Sequence, residues 1–172
     1  SQTRQILDAN SITGKTDILG YVVGTTSVSG LTNNTYLAGS MADHLTSYGG
    51  FLLESSGQMS VLQWIKAGNV GSYGTCVEPC NYTNKFPQVR LHYWYGRGFN
   101  MGESYWMSVQ NPYQGVFVGD PLCAPYALPP EVAIYTVSTN DILSGMVPIS
   151  VTGMASYADQ KVDRLDLFLD EQ

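Results

Sequence analysis

Charge is scarce in this 172-residue chain. Only 13% of its residues are Asp, Glu, Lys or Arg, and 14 acids against 8 bases leave a formal net charge of -6. A surface so poor in cations does not attract a phosphate backbone, which argues against a nucleic-acid partner. No apolar run approaches the roughly 20 residues that cross a bilayer as a helix, so no transmembrane segment is expected. The opening SQTRQILDAN has no Met, no basic stretch and no apolar leader core. An export signal is therefore expected to have been removed or to lie on a missing part. Cysteine is also sparse, and Cys76, Cys80 and Cys123 are too few for a disulfide scaffold. With only His44 and His92 beside them a zinc site lacks ligands, and neither metal nor cofactor is expected. TCVEPC leaves open a small Cys76–Cys80 disulfide in an oxidising compartment, with buried or loosely paired thiols the favoured reading.

What is abundant is apolar and hydroxyl-bearing. Hydrophobic residues make up 44% of the chain and 12 of its residues are Tyr, which suffices for a packed core and excludes disorder. TRQILDAN reads as the end of a short helix and SITGKT as a turn. DILGYVVG (17–24) is a nearly continuous apolar run ending at glycine, the pattern of a strand buried on both faces. TYLAGSMADHL (35–45) predicts a second strand. SSGQMSVLQWIKAG (55–68), with Met59, Leu62 and Ile65 at three-residue spacing, predicts an amphipathic helix that covers the sheet. NVGSYGT (69–75) falls where the next parallel strand belongs. KFPQVRLHYWYGRG fits strand or helix, and helix is preferred because Pro87 can open one. FNMGESYWMSVQN (99–111) is a helix with Asn100 and Glu103 at capping-box spacing and Met101, Tyr105 and Val109 on one face. QGVFVGDP (114–121) returns as a buried strand. This alternation indicates an α/β domain over residues 1–126, built on a parallel sheet in a layered, Rossmann-like arrangement.

After LCAPYALPPE the texture changes. EVAIYTVST, GMVPISVTGMAS and VDRLDLFLDEQ are β-rich with no helix between them, so residues 127–172 read as the start of a separate β module. Val162, Leu165, Leu167 and Leu169 share a mostly alternating pattern, and the module is expected to be completed by another segment.

The densest chemistry lies in MADHLTSYGG (41–50). Asp43, His44, Thr46 and Ser47 are residue types that relay protons or attack carbonyls, and Gly49–Gly50 lets a backbone turn sharply. Successive strand residues point to opposite faces, however, so Asp43 and His44 cannot both serve Thr46 unless the strand has ended. The bland alternative is a hydrogen-bonded histidine at a strand end. Asp120 in VGDP is a weak candidate for metal or substrate, set against a carboxylate that satisfies turn amides.

AGNVGSYGTCVEPCNYTNKFP and GRGFNMGESYWMSVQNPYQGVFVGDPLCAPY, together with ADHLTSYGG, resemble a family of uncharacterised exported bacterial proteins with similar GTxxEP and VGDPL stretches. The likeness covers residues 17 to 126 and implies an exported protein, periplasmic or at the cell surface. A more distant resemblance is to gingipain-type cysteine peptidases, whose caspase-like α/β domain precedes an immunoglobulin-like one. It implies that DILGYVVG corresponds to the strand before the catalytic histidine, MADHLTSYGG to that of the cysteine, and VFVGDP to the closing strand. On that correspondence Thr25 stands at the histidine's place and Thr46 or Ser47 at the cysteine's, so the dyad is missing.

Three functions are weighed on these grounds. The leading one is a non-catalytic structural or interaction subunit of an extracytoplasmic or membrane-associated assembly, with other subunits or missing parts of its own polypeptide as partners. The second is a hydrolase using Thr46 or Ser47 with His44, oriented by Asp43. The third is a carbohydrate- or peptide-binding module that uses the loops at the carboxyl ends of the parallel strands.

Overall fold

The apolar, glycine-bounded runs become strands. The computed structural model describes residues 9–77, 82–138 and 140–168. In chain order the elements are β1 (Ile18–Val23), β2 (Tyr36–His44), α1 (Leu62–Lys66), β3 (Gly71–Thr75), α2 (Arg90–Gly96), α3 (Met101–Ser108), β4 (Gly115–Gly119), β5 (Glu131–Ile134) and β6 (Val151–Met154). The chain divides into two compact units, Ser1–Ala127 and Leu128–Gln172. The expected helix end in TRQILDAN falls mainly on residues 1–8, outside the described ones.

The larger unit is an α/β layer structure on a mixed four-stranded sheet, order β1-β2-β3-β4. β1, β2 and β3 run parallel, and β4 runs antiparallel to β3, with Gly71 opposite Gly119 and Thr75 opposite Gly115. The expectation of an all-parallel sheet is corrected here, and the cause is the helix count. A single helix carries the chain back for a parallel return, as α1 does between β2 and β3, whereas α2 and α3 in succession deliver it to the opposite end. The expectation that 17–24 is buried on both faces is also corrected. β1 is an edge strand, with Ile18 and Tyr21 buried, Leu19 half-buried and Gly20 exposed. β4 is likewise an edge, half-buried along most of its length.

Side chains alternate across β2 and build a core on each face. Met41 packs with Tyr73, Leu91, Tyr95, Met101 and Tyr105 beneath α2 and α3. Ala42 packs on the other side with Ile18, Tyr21, Leu31 and Trp64. The helix expected over 55–68 is shorter than its spacing suggested. Gly57 takes a left-handed φ of 76° that no helix interior accepts, and the hydroxyls of Ser56 and Ser60 bind the nearby amides of Gln58 and Leu62. Over this stretch only Leu62–Lys66 is helical, and the fully buried side chains are its Trp64 and the preceding Val61 rather than the Met59, Leu62, Ile65 stripe. α2 begins three residues after Pro87 and buries Leu91 and Tyr95, one turn apart. α3 has its capping box: the Asn100 side chain accepts from the Glu103 amide at 2.8 Å, and the Glu103 carboxylate accepts from the Asn100 amide at 3.0 Å.

In the smaller unit β5 and β6 form an antiparallel pair, Glu131 opposite Met154 and Ile134 opposite Val151. The third expected strand, in VDRLDLFLDEQ, is absent over 162–168, and residues 169–172 lie outside the described ones. Instead the chain lies over the pair. A Cβ added at Gly153 would meet Leu165 Cδ2 at 3.0 Å and Val162 Cγ1 at 3.5 Å, so these two apolar residues act as a cover rather than a ladder.

Candidate functional site

β2 and β3 are parallel neighbours, so their carboxyl ends share one rim of the sheet, and the 45–61 connection closes over it. His44 is the last residue of β2 and Cys76 directly follows β3. Between them the chain turns through Gly49 and Gly50. A Cβ on Gly49 would stand 3.2 Å from the His44 ring, and one on Gly50 would stand 2.5 Å from both Cys76 Sγ and the Gly74 carbonyl oxygen. Gly74 is equally constrained, since its Cβ would lie 2.4 Å from the Gly50 amide nitrogen. Backbone meets backbone here, which is the physical demand behind the glycines of SYGG and SYGT.

Asp43 and His44 diverge, as strand geometry requires. The Asp43 carboxylate is fully buried toward α3, where Oδ1 accepts from the Tyr73 amide at 2.7 Å and the Ser72 hydroxyl at 3.3 Å. The Tyr105 hydroxyl donates to Oδ2 at 3.0 Å. Burial pushes the Asp43 pKa up to about 7, partly offset by these donors, and burial beside Asp43 drives the Tyr105 hydroxyl far above its usual range.

His44 faces α1. Its Nδ1 accepts from the Trp64 indole N–H at 3.0 Å, and its Nε2 lies 2.6 Å from the Met59 carbonyl oxygen. An indole nitrogen can only donate and a carbonyl can only accept, so the tautomer is determined: Nδ1 carries the lone pair and Nε2 the hydrogen. Burial lowers the pKa of the ring against the pull of the Met59 carbonyl.

Thr46 and Ser47 are tied down as well. The Thr46 hydroxyl donates to Gln58 Oε1 at 2.6 Å, and its carbonyl accepts from the Thr75 hydroxyl at 2.5 Å. Ser47 Oγ accepts from Lys85 Nζ at 3.5 Å, and the same ammonium donates to the Val77 carbonyl at 2.8 Å. Lys85, buried without exposure, was missed by the sequence reading, because a lysine in a polar, proline-bounded loop carries no signal of burial. Trp64 and Gln58 were missed for a similar reason: both belong to a stretch read only as a sheet-covering helix.

Of the remaining candidates, Thr25 and Cys76 stand at this rim and Asp120 at the other end of the sheet, and none of them is hydrogen-bonded to His44. Thr25 lies two residues beyond β1, whose last residue Val23 pairs with His44, and its hydroxyl donates to the Ser27 carbonyl. Asp120 sits beyond β4, where its amide bonds the Val70 carbonyl just before β3 begins, at the opposite end of the sheet from His44. Its carboxylate accepts from the Leu122 amide at 2.9 Å, the turn-satisfying role. Cys76 carries a free thiol whose pKa burial raises, and its suggested disulfide partner Cys80 lies outside the described residues. Cys123 is also free and meets the Tyr95 hydroxyl at 3.3 Å. Among the described residues no group of three or more His, Cys, Asp or Glu is placed to hold a metal ion, and no helix is long and apolar enough to cross a membrane.

Compared with protein-family models, with curated proteins and with solved structures, the chain finds no match.

Proposed function

We propose that the larger unit is a non-catalytic, caspase-like interaction module of an exported bacterial assembly, followed by part of an immunoglobulin-like β module. The observation that carries this reading is the state of His44. Both ring nitrogens are engaged inside the fold, so no lone pair remains to accept a proton from a nucleophile. The Thr46 hydroxyl is spent on Gln58, Asp43 lies on the far face of the strand, and burial favours the thiol over the thiolate at Cys76. Exposed apolar side chains suit a chain that covers surface on partners: Val89 just before α2, Tyr93 on it, Trp106 on α3 and Tyr113 after it.

A second reading, a peptidase-like hydrolase, draws on one observation. His44 and Cys76 terminate neighbouring parallel strands and flank the same glycine turn, so Cys76 rather than Thr46 or Ser47 holds the nucleophile's place in that reading.

Iodoacetamide labelling of Cys76, followed by peptide mass analysis from pH 5 to 9, separates the two. The interaction module predicts a rate that climbs with pH and is still rising above pH 8. Labelling that is already fast and level at pH 5 to 6 would mean a base-activated thiolate and would sink the proposal.

A further inference from the structure

The loop after β1 and the segment leading into α1 enclose an open groove of about 680 Å³, a volume within the range of ligand sites. Its base is aliphatic. Val28 and Leu31 lie there, both buried in the Trp64 cluster, with Met59 against them. Its walls carry hydroxyls and amides, and the Met59 amide bonds the Thr26 carbonyl at 2.9 Å, which pins one wall to the other.

Two features give the groove a preference. The first is Gln58. Its Oε1 accepts from both the Thr46 hydroxyl and the Tyr48 amide, at 2.6 and 2.8 Å, which fixes the orientation of the side-chain amide. No hydrogen bond from its Nε2 to an acceptor is found among the described residues, so a residue lining the groove keeps a donor to offer. The second is charge. In a chain of net charge -6 the described residues that line the groove include no carboxylate, and Lys66 is the one ionic group among them. Such a surface takes a ligand rich in acceptors that carries a negative charge beside an aliphatic group. No aromatic face lines the groove, which disfavours sugar rings, whereas an extended peptide supplies carbonyl acceptors, an aliphatic side chain and an acid together.

We infer that this groove binds an extended peptide segment in which an aliphatic residue neighbours an acidic one. The inference rests on the interaction-module reading, since it names the chemistry of the partner.

The test is an amide-resolved NMR titration of the whole chain with acetyl-Ala-Leu-Asp-Ala-amide, its Leu→Ser and Asp→Lys analogues, and trigalacturonate. The Leu–Asp peptide is expected to shift amides within 27–32 and 55–66 together with the Gln58 side-chain NH₂. Either analogue should bind at least tenfold more weakly. Lys66→Glu, on an exposed position of α1, should reverse the charge preference in favour of the Asp→Lys peptide. Gln58→Glu keeps the acceptor for Thr46 and Tyr48 but loses the donor, and should weaken the acidic peptide at least tenfold. Absence of shifts with every probe, shifts only with trigalacturonate, or a Lys66→Glu protein with unaltered preference would each overturn the inference. An activated Cys76 with the peptide still bound would instead remove the non-catalytic reading and leave the groove standing.

Discussion

Two adjacent residues, Asp43 and His44, show how a strand separates chemistry that looks contiguous in sequence. Each is buried, each is fully hydrogen-bonded, and they face opposite cores. Asp43 carries a definite pH signature. Its folded-state pKa of about 7 lies above the value near 3.8 for a free Asp. The unfolded chain therefore releases this proton first as pH rises. The contribution to stability is complete below about pH 4 and is lost progressively as pH climbs toward 7. At roughly 1.4 kcal/mol per pKa unit the loss is of order 4 kcal/mol at most. Asp43→Asn keeps an acceptor for Tyr73 and a polar contact to Tyr105 without a charge to bury. It should match the wild type near pH 3.5 and exceed it by about 4 kcal/mol at pH 8 in urea denaturation. A variant less stable than wild type at pH 8 would show that the ionised carboxylate is required. The residue types in MADHLTSYGG were legible as chemistry, but their partners were not. Met59, Trp64 and Tyr105 stand 15, 20 and 62 positions from the groups they engage, and local pattern carries no record of such distances.

At the scale of elements, what was local was legible. β2, β3 and α3 fall where their periodicity and caps place them, because a capping box and a glycine-bounded apolar run are short-range devices. The direction of β4 and the edge status of β1 were not legible, since both follow from how many helices intervene and which strands pair. The extent of α1 failed for a different reason: a three-residue spacing of apolar side chains outvoted serines and a glycine that prefer turns. The α3 cap yields a direct test. The helix has only eight residues and delivers Tyr105 to Asp43 from its second turn, so fraying at Asn100 weakens that contact as well. Asn100→Ala should lower stability by about 1 kcal/mol, read from the urea midpoint. Asn100→Ser, which retains a cap oxygen, should restore most of it. Equal losses for both substitutions would show that the box contributes through something other than its hydrogen bonds.

At the scale of the whole molecule, the two units differ in how their sheets are protected. β2 is paired on both sides and its last six residues are buried, and all five residues of β3 are buried. Among the described residues β5 and β6 pair only with each other, with Val132 56% and Met154 64% exposed. A two-stranded ladder is marginal in water by itself, because it lacks the apolar burial that offsets the entropy of ordering its backbone. The cover supplied by Val162 and Leu165 is small. Opening of the β5–β6 unit is therefore expected at a much lower free energy than global unfolding of the larger unit. Native-state hydrogen exchange should show amides of β2 and β3 among the slowest in the chain, and those of Ala133 and Thr152 faster by several orders of magnitude. A partner that completes the β module by adding strands should slow the β5–β6 amides without affecting β2 and β3. Equal protection in both units of the isolated chain would show that the short ladder is already complete.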